Sequence, residues 1–138
     1  MDKDKMVKAL NQALAQEYAC YIRYKTHASV ITGPYAPGVS ARLDEIAEDE
    51  EQHAQHLRDR IVALGGTPTM APEASDLIPA TKLKDILSVN IKEERKAIAM
   101  YQKLLNAIPR EQRILYETIE HILEEEMEHL EELERLQE

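Results

Sequence analysis

The hexapeptide EDEEQH occupies residues 48–53 and places four acidic side chains and one imidazole within six residues. Such a run usually forms the solvent-exposed face of a helix. Here it is crossed by a stripe of core-type positions spaced alternately three and four residues apart: Leu43, Ile46, Glu50, His53 and Leu57. The spacing predicts that Glu50 and His53 point into the core. Glu48, Asp49 and Glu51 are expected at the surface or just behind these two side chains.

The same periodicity recurs in four segments that are separated by breaks rich in Pro and Gly. The segments predict four helices, α1 (about 4–31), α2 (about 40–64), α3 (about 82–107) and α4 (about 110–137). We expect Gly65 to end α2, Thr81 to cap the start of α3, and Pro109 or a neighbour to begin α4.

The connection lengths predict how these helices are arranged. Short connections between α1 and α2 and between α3 and α4 favour antiparallel hairpins, whereas the linker at 65–80 is long enough to run the length of a bundle. The expected fold is all-α: a four-helix bundle in one domain, residues 1–138, with one long crossover between α2 and α3.

Each of the four stripes is apolar at its ends and carries one Glu near its middle. In α2 and α4 a His follows that Glu by three residues, on the same helix face. The resulting set is Glu17, Glu50, His53, Glu94, Glu126 and His129. Buried carboxylates need compensation, and no Lys or Arg lies on the stripes at this level. Two divalent cations would balance the four carboxylates with both imidazoles neutral, and this ligand set suits iron or manganese.

An internal repeat supports the grouping. EYACYIRY at 17–24 resembles ERKAIAMY at 94–101, and EEQH at 50–53 resembles EMEH at 126–129. Two copies of one hairpin, related by a pseudo-two-fold axis, would each supply Glu plus Glu-x-x-His. Tyr24 and Tyr101 each lie seven residues after a ligand Glu and are either core residues or redox-active neighbours of the metals. Asn90 is placed to hydrogen-bond a ligand, and His27 is expected at the surface.

Composition excludes several other classes of function. The formal net charge of -9 opposes binding to nucleic acid or to anionic lipid. The single Cys20 excludes an internal disulfide and any multi-cysteine zinc or iron–sulfur site. No apolar run is long enough to span a membrane, and the N-terminus lacks the features of a secretory signal, so a cytoplasmic location is expected.

The chain resembles the ferritin-like superfamily, and bacterioferritins most closely. The likeness runs from about residue 4 to residue 137 and includes EEQHAQHLRDRIVALGGTP at 50–68 and EEEMEHLEEL at 124–133. It implies that the six residues bind two irons, which O₂ or H₂O₂ oxidises from Fe²⁺, and that Tyr24 occupies the position of a tyrosine near the bacterioferritin ferroxidase centre. That would make the protein a ferroxidase-type oxidoreductase.

Two departures from the bacterioferritin pattern modify these expectations. Bacterioferritins bind haem through a Met directly after the first Glu of the α2 motif, and this sequence has Glu51 there, so no haem is expected. No fifth helix follows α4, so a homo-oligomer as small as a dimer is as compatible with the sequence as a storage cage.

Two alternative functions remain open at this stage. One is a peroxide-reducing protein like rubrerythrin, whose electron donor would have to be a separate protein because this chain has one cysteine. The other is an iron-sequestering assembly protein of the Dps kind. Dps-like proteins place their metal ligands between subunits and coat DNA, which fits neither the single-chain ligand set nor the negative charge.

Overall fold

The computed structural model describes residues 2–137, and the outermost residues of the expected domain, Met1 and Glu138, lie outside this range. Within it the chain forms four long helices and no β-strand: α1 (Lys3–Val30), α2 (Ala36–Ala63), α3 (Leu83–Ala107) and α4 (Arg113–Leu136). A single 3₁₀ turn, Ala74–Asp76, lies between α2 and α3. The helices pack as two hairpins, α1 with α2 and α3 with α4. The four-helix prediction is therefore confirmed.

Three of the predicted boundaries need correction. Helix α2 begins at Ala36 rather than residue 40, because Pro37 is tolerated in a first turn, where its missing N–H needs no partner. Helix α4 begins at Arg113 rather than 110, since residues 109–112 form a separate turn closed by the Gln112 N–H bond to the Pro109 carbonyl. Thr81 does not cap α3, which Lys82 precedes without a side-chain cap. Gly65 ends α2 as expected, with φ of 84°.

The segment between α2 and α3, residues 64–82, is called the crossover here. It runs alongside α1 in the same direction, and hydrogen bonds tie it down at successive points. Asn11 donates to the Thr67 carbonyl, Tyr18 to the Thr69 carbonyl, and the His27 ring bonds the Ile78 carbonyl. The crossover thus delivers the start of α3 to the end of α1, so α3 runs parallel to α2, as the long linker predicted.

The core consists of two apolar clusters with a polar layer between them. One cluster holds Leu10, Leu57, Tyr101 and Ile119, and the other holds Tyr24, Ile46, Ile86 and Leu133. Along every helix the predicted stripe Glu falls between the residues of the two clusters. Of the helices described, none combines the length and apolar character that a membrane span requires.

Candidate metal centre

The polar layer is formed by the six residues singled out in the sequence. Each helix contributes one Glu from the middle of its core-facing stripe, between the two apolar clusters. Helices α2 and α4 each add a His one turn after that Glu. All six side chains are buried, and the most exposed of them, His129, is 3% accessible: Glu17, Glu50, His53, Glu94, Glu126 and His129. The structure thus brings together every residue that the spacing assigned to the site.

The six residues divide into two overlapping sets of four whose ligand atoms lie within 4.8 Å of one another. Position 1 is formed by Glu17, Glu50, His53 and Glu126, and position 2 by Glu50, Glu94, Glu126 and His129. Glu50 and Glu126 belong to both sets, so each is placed to bridge two ions. This sharing is the arrangement expected of a dinuclear carboxylate centre in a helix bundle.

Both imidazoles face the site through the same ring nitrogen. The Nδ1 atom of His53 lies 2.8 Å from a Glu17 oxygen, and that of His129 lies 3.1 Å from a Glu126 oxygen and 3.4 Å from a Glu94 oxygen. The ring centroids are 6.3 Å apart. Two imidazoles at this separation, each with its Nδ1 among carboxylate oxygens, can serve neighbouring cations.

The outward-facing nitrogens are held by two carboxylates that are not part of the cluster. The Nε2 of His53 is 2.6 Å from Glu125, and that of His129 is 2.9 Å from Asp49. These side chains are 30% and 35% exposed. A carboxylate on Nε2 keeps the proton there, which leaves Nδ1 free to bind a metal.

The sequence analysis placed Asp49 either at the surface or just behind Glu50 and His53, and it did not single out Glu125. A signal was present, however. An acid directly precedes the ligand Glu in both copies of the repeat, as Asp49–Glu50 and Glu125–Glu126. Each of these acids contacts the His of the other hairpin.

The donor set fits cations because many of its oxygens have no other partner. Among the described residues both carboxylate oxygens of Glu50 and of Glu94, and one of Glu126, are buried without a hydrogen bond. A buried unpaired acceptor is strongly destabilising. Cations would satisfy all five oxygens at once.

The proton affinities of the cluster show the same need for positive charge. Burial, followed by repulsion from Glu50, raises the pKa of Glu17 to about 8. Burial also raises the pKa of Glu94 and of Glu126. Although burial alone would lower it, the Glu94 carboxylate, 3.4 Å from Nδ1, and the charge of Glu50 raise the pKa of His129 to about 9. Without a metal, protons therefore hold the charge balance that divalent cations would supply.

A second buried polar network, which the sequence did not predict, lies beside the site. Arg23 is 2% exposed and donates to Asn90 Oδ1 at 2.8 Å, to the Asp76 carbonyl at 3.0 Å and to Cys20 Sγ at 3.4 Å. Asn90 therefore binds Arg23 rather than a metal ligand. It also bonds His27, which is buried and not at the surface as expected.

This network balances its own charge. Arg23 lies 3.7 Å from Glu93, which is also 3.1 Å from Lys96, and Lys96 pairs with buried Asp76. Two cationic and two anionic side chains sum to zero. The network therefore leaves the four ligand carboxylates uncompensated.

Two buried tyrosines border the cluster. Tyr24 and Tyr101 are both fully buried, and neither hydroxyl has a hydrogen-bond partner among the described residues. Burial, and next the charge of Glu94, raise the pKa of Tyr24 well above its usual range, so this phenol stays protonated. Glu51, at the position where bacterioferritins have the haem-binding Met, lies at the surface 3.3 Å from Arg58.

Comparison with known proteins finds relatives named as ferritins, bacterioferritins and DNA protection during starvation proteins. The chain is 33% identical over 98 residues to a bacterial ferritin of Pseudomonas aeruginosa, a match that covers 71% of the chain but only 62% of that protein. It is 30% identical over 130 residues to the bacterioferritin of Desulfovibrio desulfuricans, covering 93% of the chain and 72% of that protein. A DNA protection during starvation protein of Halobacterium salinarum is 34% identical over 88 residues, covering 62% of the chain and 48% of that protein.

Two solved structures share nearly the whole fold. A ferritin-like, diiron-carboxylate protein of Bacillus anthracis superposes with a TM-score of 0.92 at 29% identity, over 100% of both chains. A dodecameric thioferritin of Bacteroides fragilis gives a TM-score of 0.91 at 31% identity, over 98% of this chain and 85% of the other. The ferritin-like domain family matches residues 7–138. The chain, with its bundle and its paired carboxylate–histidine clusters, therefore belongs to the ferritin-like family and lies close to the bacterioferritins.

Proposed function

We propose that the protein is a di-iron ferroxidase that oxidises Fe²⁺ with O₂ or H₂O₂ at the six-residue cluster. The observation that carries the proposal is the pair of four-residue sets sharing Glu50 and Glu126, in which five carboxylate oxygens have no hydrogen-bond partner in the part of the chain that the structure describes. This is a site for two cations of the same kind, bound close together. Oxygen and imidazole ligands suit iron, with manganese as the alternative.

Each of the six cluster residues has a proposed role in holding the two ions. Glu50 and Glu126 would bridge the two ions, Glu17 and His53 would complete position 1, and Glu94 and His129 would complete position 2. The balance of the reaction is simple. Each of two Fe²⁺ gives up one electron, and O₂ takes both electrons with two protons to form H₂O₂, or H₂O₂ takes them to form two waters. Four carboxylates stabilise the higher charge of the Fe³⁺ product.

Tyr24 is proposed as an accessory electron donor. Its phenol is fully buried, the charge of Glu94 helps to raise its pKa, and its hydroxyl has no hydrogen-bond partner among residues 2–137. Because the phenol is protonated, loss of an electron must be accompanied by loss of its proton. The two-electron steps above are complete with two Fe²⁺, so Tyr24 would take part when O₂ is reduced to two waters. Two of the four electrons then come from the iron pair, one from Tyr24 and one from a further Fe²⁺.

The direct test adds Fe²⁺ to metal-free protein without oxygen and then admits O₂ or H₂O₂ in separate experiments. We expect rapid oxidation of two Fe²⁺ per chain, followed by absorbance of Fe³⁺. Glu50→Ala should abolish the fast phase, because it removes a ligand from both positions. The matched control is Glu51→Ala, the surface neighbour, which should oxidise iron like the unaltered chain. Equal rates in Glu50→Ala and the unaltered chain would rule the proposal out.

We further propose that the chain acts as a homo-oligomer, at least a dimer, in the cytoplasm and without haem. The Bacteroides relative is described as dodecameric, and relatives are described as ferritins. Storage of iron requires an enclosed assembly, whereas detoxification requires only the oxidation step. Size-exclusion chromatography with light scattering, before and after iron loading, separates these two roles.

A DNA-coating role is the second candidate, favoured by the likeness to the Halobacterium protein. Two features of this chain weigh against it: the net charge of -9, and a full set of ligands within one chain. Retardation of linear DNA by the protein at physiological salt would favour this candidate. Unretarded DNA together with fast iron oxidation would favour the ferroxidase.

A further inference from the structure

The two halves of the repeat are not electrostatically equivalent. Arg23 lies six residues after Glu17, and the corresponding residue in the other copy, six after Glu94, is Met100. Likewise Asn90, four residues before Glu94, corresponds to Ala13. Arg23 and its hydrogen-bond partner Asn90 therefore lie on one side of the cluster and have no counterpart on the other side, although the six cluster residues themselves are repeated in both halves.

The contacts of the Arg23 guanidinium place it on the Glu94 side. It donates to Asn90, one turn before Glu94 on the same face of α3, and lies 3.7 Å from Glu93, the residue directly before Glu94. On the Glu17 side it reaches only the thiol of Cys20, at 3.4 Å.

The network around Arg23 sums to zero charge, so its arrangement decides whether its positive or its negative end faces the cluster. Nε and Nη2 face the core-stripe residues Asn90 and Cys20, whereas Nη1 faces the Asp76 carbonyl and Glu93 on the outer side. The positive charge thus lies between the metal ligands and the anions that balance it. Lys96, the other cation of the network, is 48% exposed and its field is screened by solvent.

We propose that Arg23 makes the two metal positions unequal, weakening cation binding at position 2 so that position 1 fills first. Arg23 is a positioning residue in this role, since it touches no metal ligand and acts through its field. A fixed positive charge in a buried setting opposes a second divalent ion more strongly the nearer the ion binds. Position 2 would then be the exchangeable position, from which an ion leaves most readily.

The inference rests on the proposed function only in requiring that the cluster binds two divalent ions. Co²⁺ is a suitable probe because it takes the same ligands and is not oxidised under the assay conditions. Calorimetry and the visible absorbance of bound Co²⁺ should resolve two steps in the intact protein, separated by about tenfold or more in affinity. Glu94→Ala should remove the weaker step and Glu17→Ala the tighter one, which assigns the steps to positions.

Three variants then test the charge itself. Arg23→Gln keeps hydrogen-bonding capacity but removes the charge, so the two affinities should converge. Arg23→Lys keeps the charge with altered hydrogen bonding and should retain the separation. Glu93→Gln removes the balancing anion and should widen the separation, which provides a test of opposite sign if Arg23→Gln fails to fold.

Several outcomes would overturn the inference. These are a single Co²⁺ step of stoichiometry two in the intact protein, an unchanged separation in Arg23→Gln, a collapsed separation in Arg23→Lys, or no widening in Glu93→Gln. Failure of the proposed function looks different. Unequal Co²⁺ steps without Fe²⁺ oxidation would refute the ferroxidase alone, and Fe²⁺ oxidation with equal Co²⁺ steps would refute the role of Arg23 alone.

Discussion

Each histidine of the cluster uses both of its ring nitrogens, one toward the ligands and one toward an outer carboxylate. Asp49 and Glu125 hold the Nε2 atoms of His129 and His53 at 2.9 and 2.6 Å. Replacing either acid by its amide should lower metal affinity by about 10–100-fold, because the ring loses its fixed tautomer and its basicity. Co²⁺ titration of Asp49→Asn and Glu125→Gln measures the effect.

The control for these variants is Glu51→Gln. Glu51 lies in the same acidic run but pairs with Arg58 at the surface, so its loss should leave affinity unchanged. Equal losses in Glu51→Gln and Asp49→Asn would point to general surface charge and contradict the role assigned to the outer carboxylates.

The two buried tyrosines provide a matched pair for the proposed electron donor. Tyr24→Phe and Tyr101→Phe each remove, from a fully buried ring, one hydroxyl that bonds to none of the described residues. If Tyr24 gives up an electron, a tyrosyl radical signal in electron paramagnetic resonance should follow addition of O₂ to protein supplied with three Fe²⁺ per chain. The signal should vanish in Tyr24→Phe and persist in Tyr101→Phe, with Co²⁺ binding intact in both. A signal retained in Tyr24→Phe excludes this donor.

At the residue scale, sequence spacing was sufficient to predict that the six cluster residues lie together in the core, because they recur in register in two copies. It failed for Arg23, His27 and Glu93, which lie off the stripes or beside them. Arg23 and His27 bond carbonyls of the crossover, at Asp76 and Ile78. Helical periodicity cannot indicate where a loop segment will cover a helix.

At the scale of the elements, Gly66 near the start of the crossover packs so closely against α1 that it leaves no room for a side chain. A Cβ atom at Gly66 would lie 2.5 Å and 2.9 Å from the two methyl carbons of Val7 and 3.1 Å from Ile61. Gly66→Ala should therefore destabilise the fold by about 1–3 kcal/mol, since α1 or the crossover must shift. Urea denaturation of the metal-free protein gives the free energy of unfolding.

Gly38 supplies the comparison, because a Cβ there would meet nothing within 4 Å. Gly38 lies in the first turn of α2, where alanine is the better helix former, so Gly38→Ala should be neutral or stabilising by up to about 1 kcal/mol. If Gly66→Ala were equally harmless, the close packing of the crossover against α1 would be wrong.

Hydrophobic periodicity was enough to predict the four helices, but it predicted their first and last residues less accurately. In α2, for example, all five residues of the predicted stripe, from Leu43 to Leu57, are buried. The start of α2 was missed because Pro37 was treated as a breaker, whereas its position in the first turn makes it compatible with helix.

For the whole molecule, the site links stability to pH. Glu17 has a folded-state pKa of about 8 against an ordinary 4.5, and His129 about 9 against 6.5. A raised folded pKa stabilises the protein below the ordinary value, and that stability is lost as pH rises through the folded value. The free energy of unfolding of the metal-free protein should therefore fall between pH 7 and 9, by on the order of 1 kcal/mol per pH unit.

Urea denaturation at pH 7, 8 and 9 checks this, with a chelator present and then with excess Co²⁺. Metal takes the place of the protons, so the loaded protein should show a much weaker decline. Glu17→Gln cannot titrate and should reduce the slope of the metal-free protein. Stability that rises from pH 7 to 9 in the metal-free protein would contradict the assigned shifts.

The sharing of Glu50 and Glu126 between the two positions also affects how the two hairpins are held together, because these two residues come from different hairpins. Each position draws ligands from both halves of the duplicated chain, while the helices pack mainly within their own half. Bound ions would thus act as removable cross-links between two modules that are otherwise joined covalently only by the crossover. We therefore expect the rigidity of the bundle to depend on its iron content. The two hairpins should be harder to separate in the metal-loaded protein than in the metal-free protein.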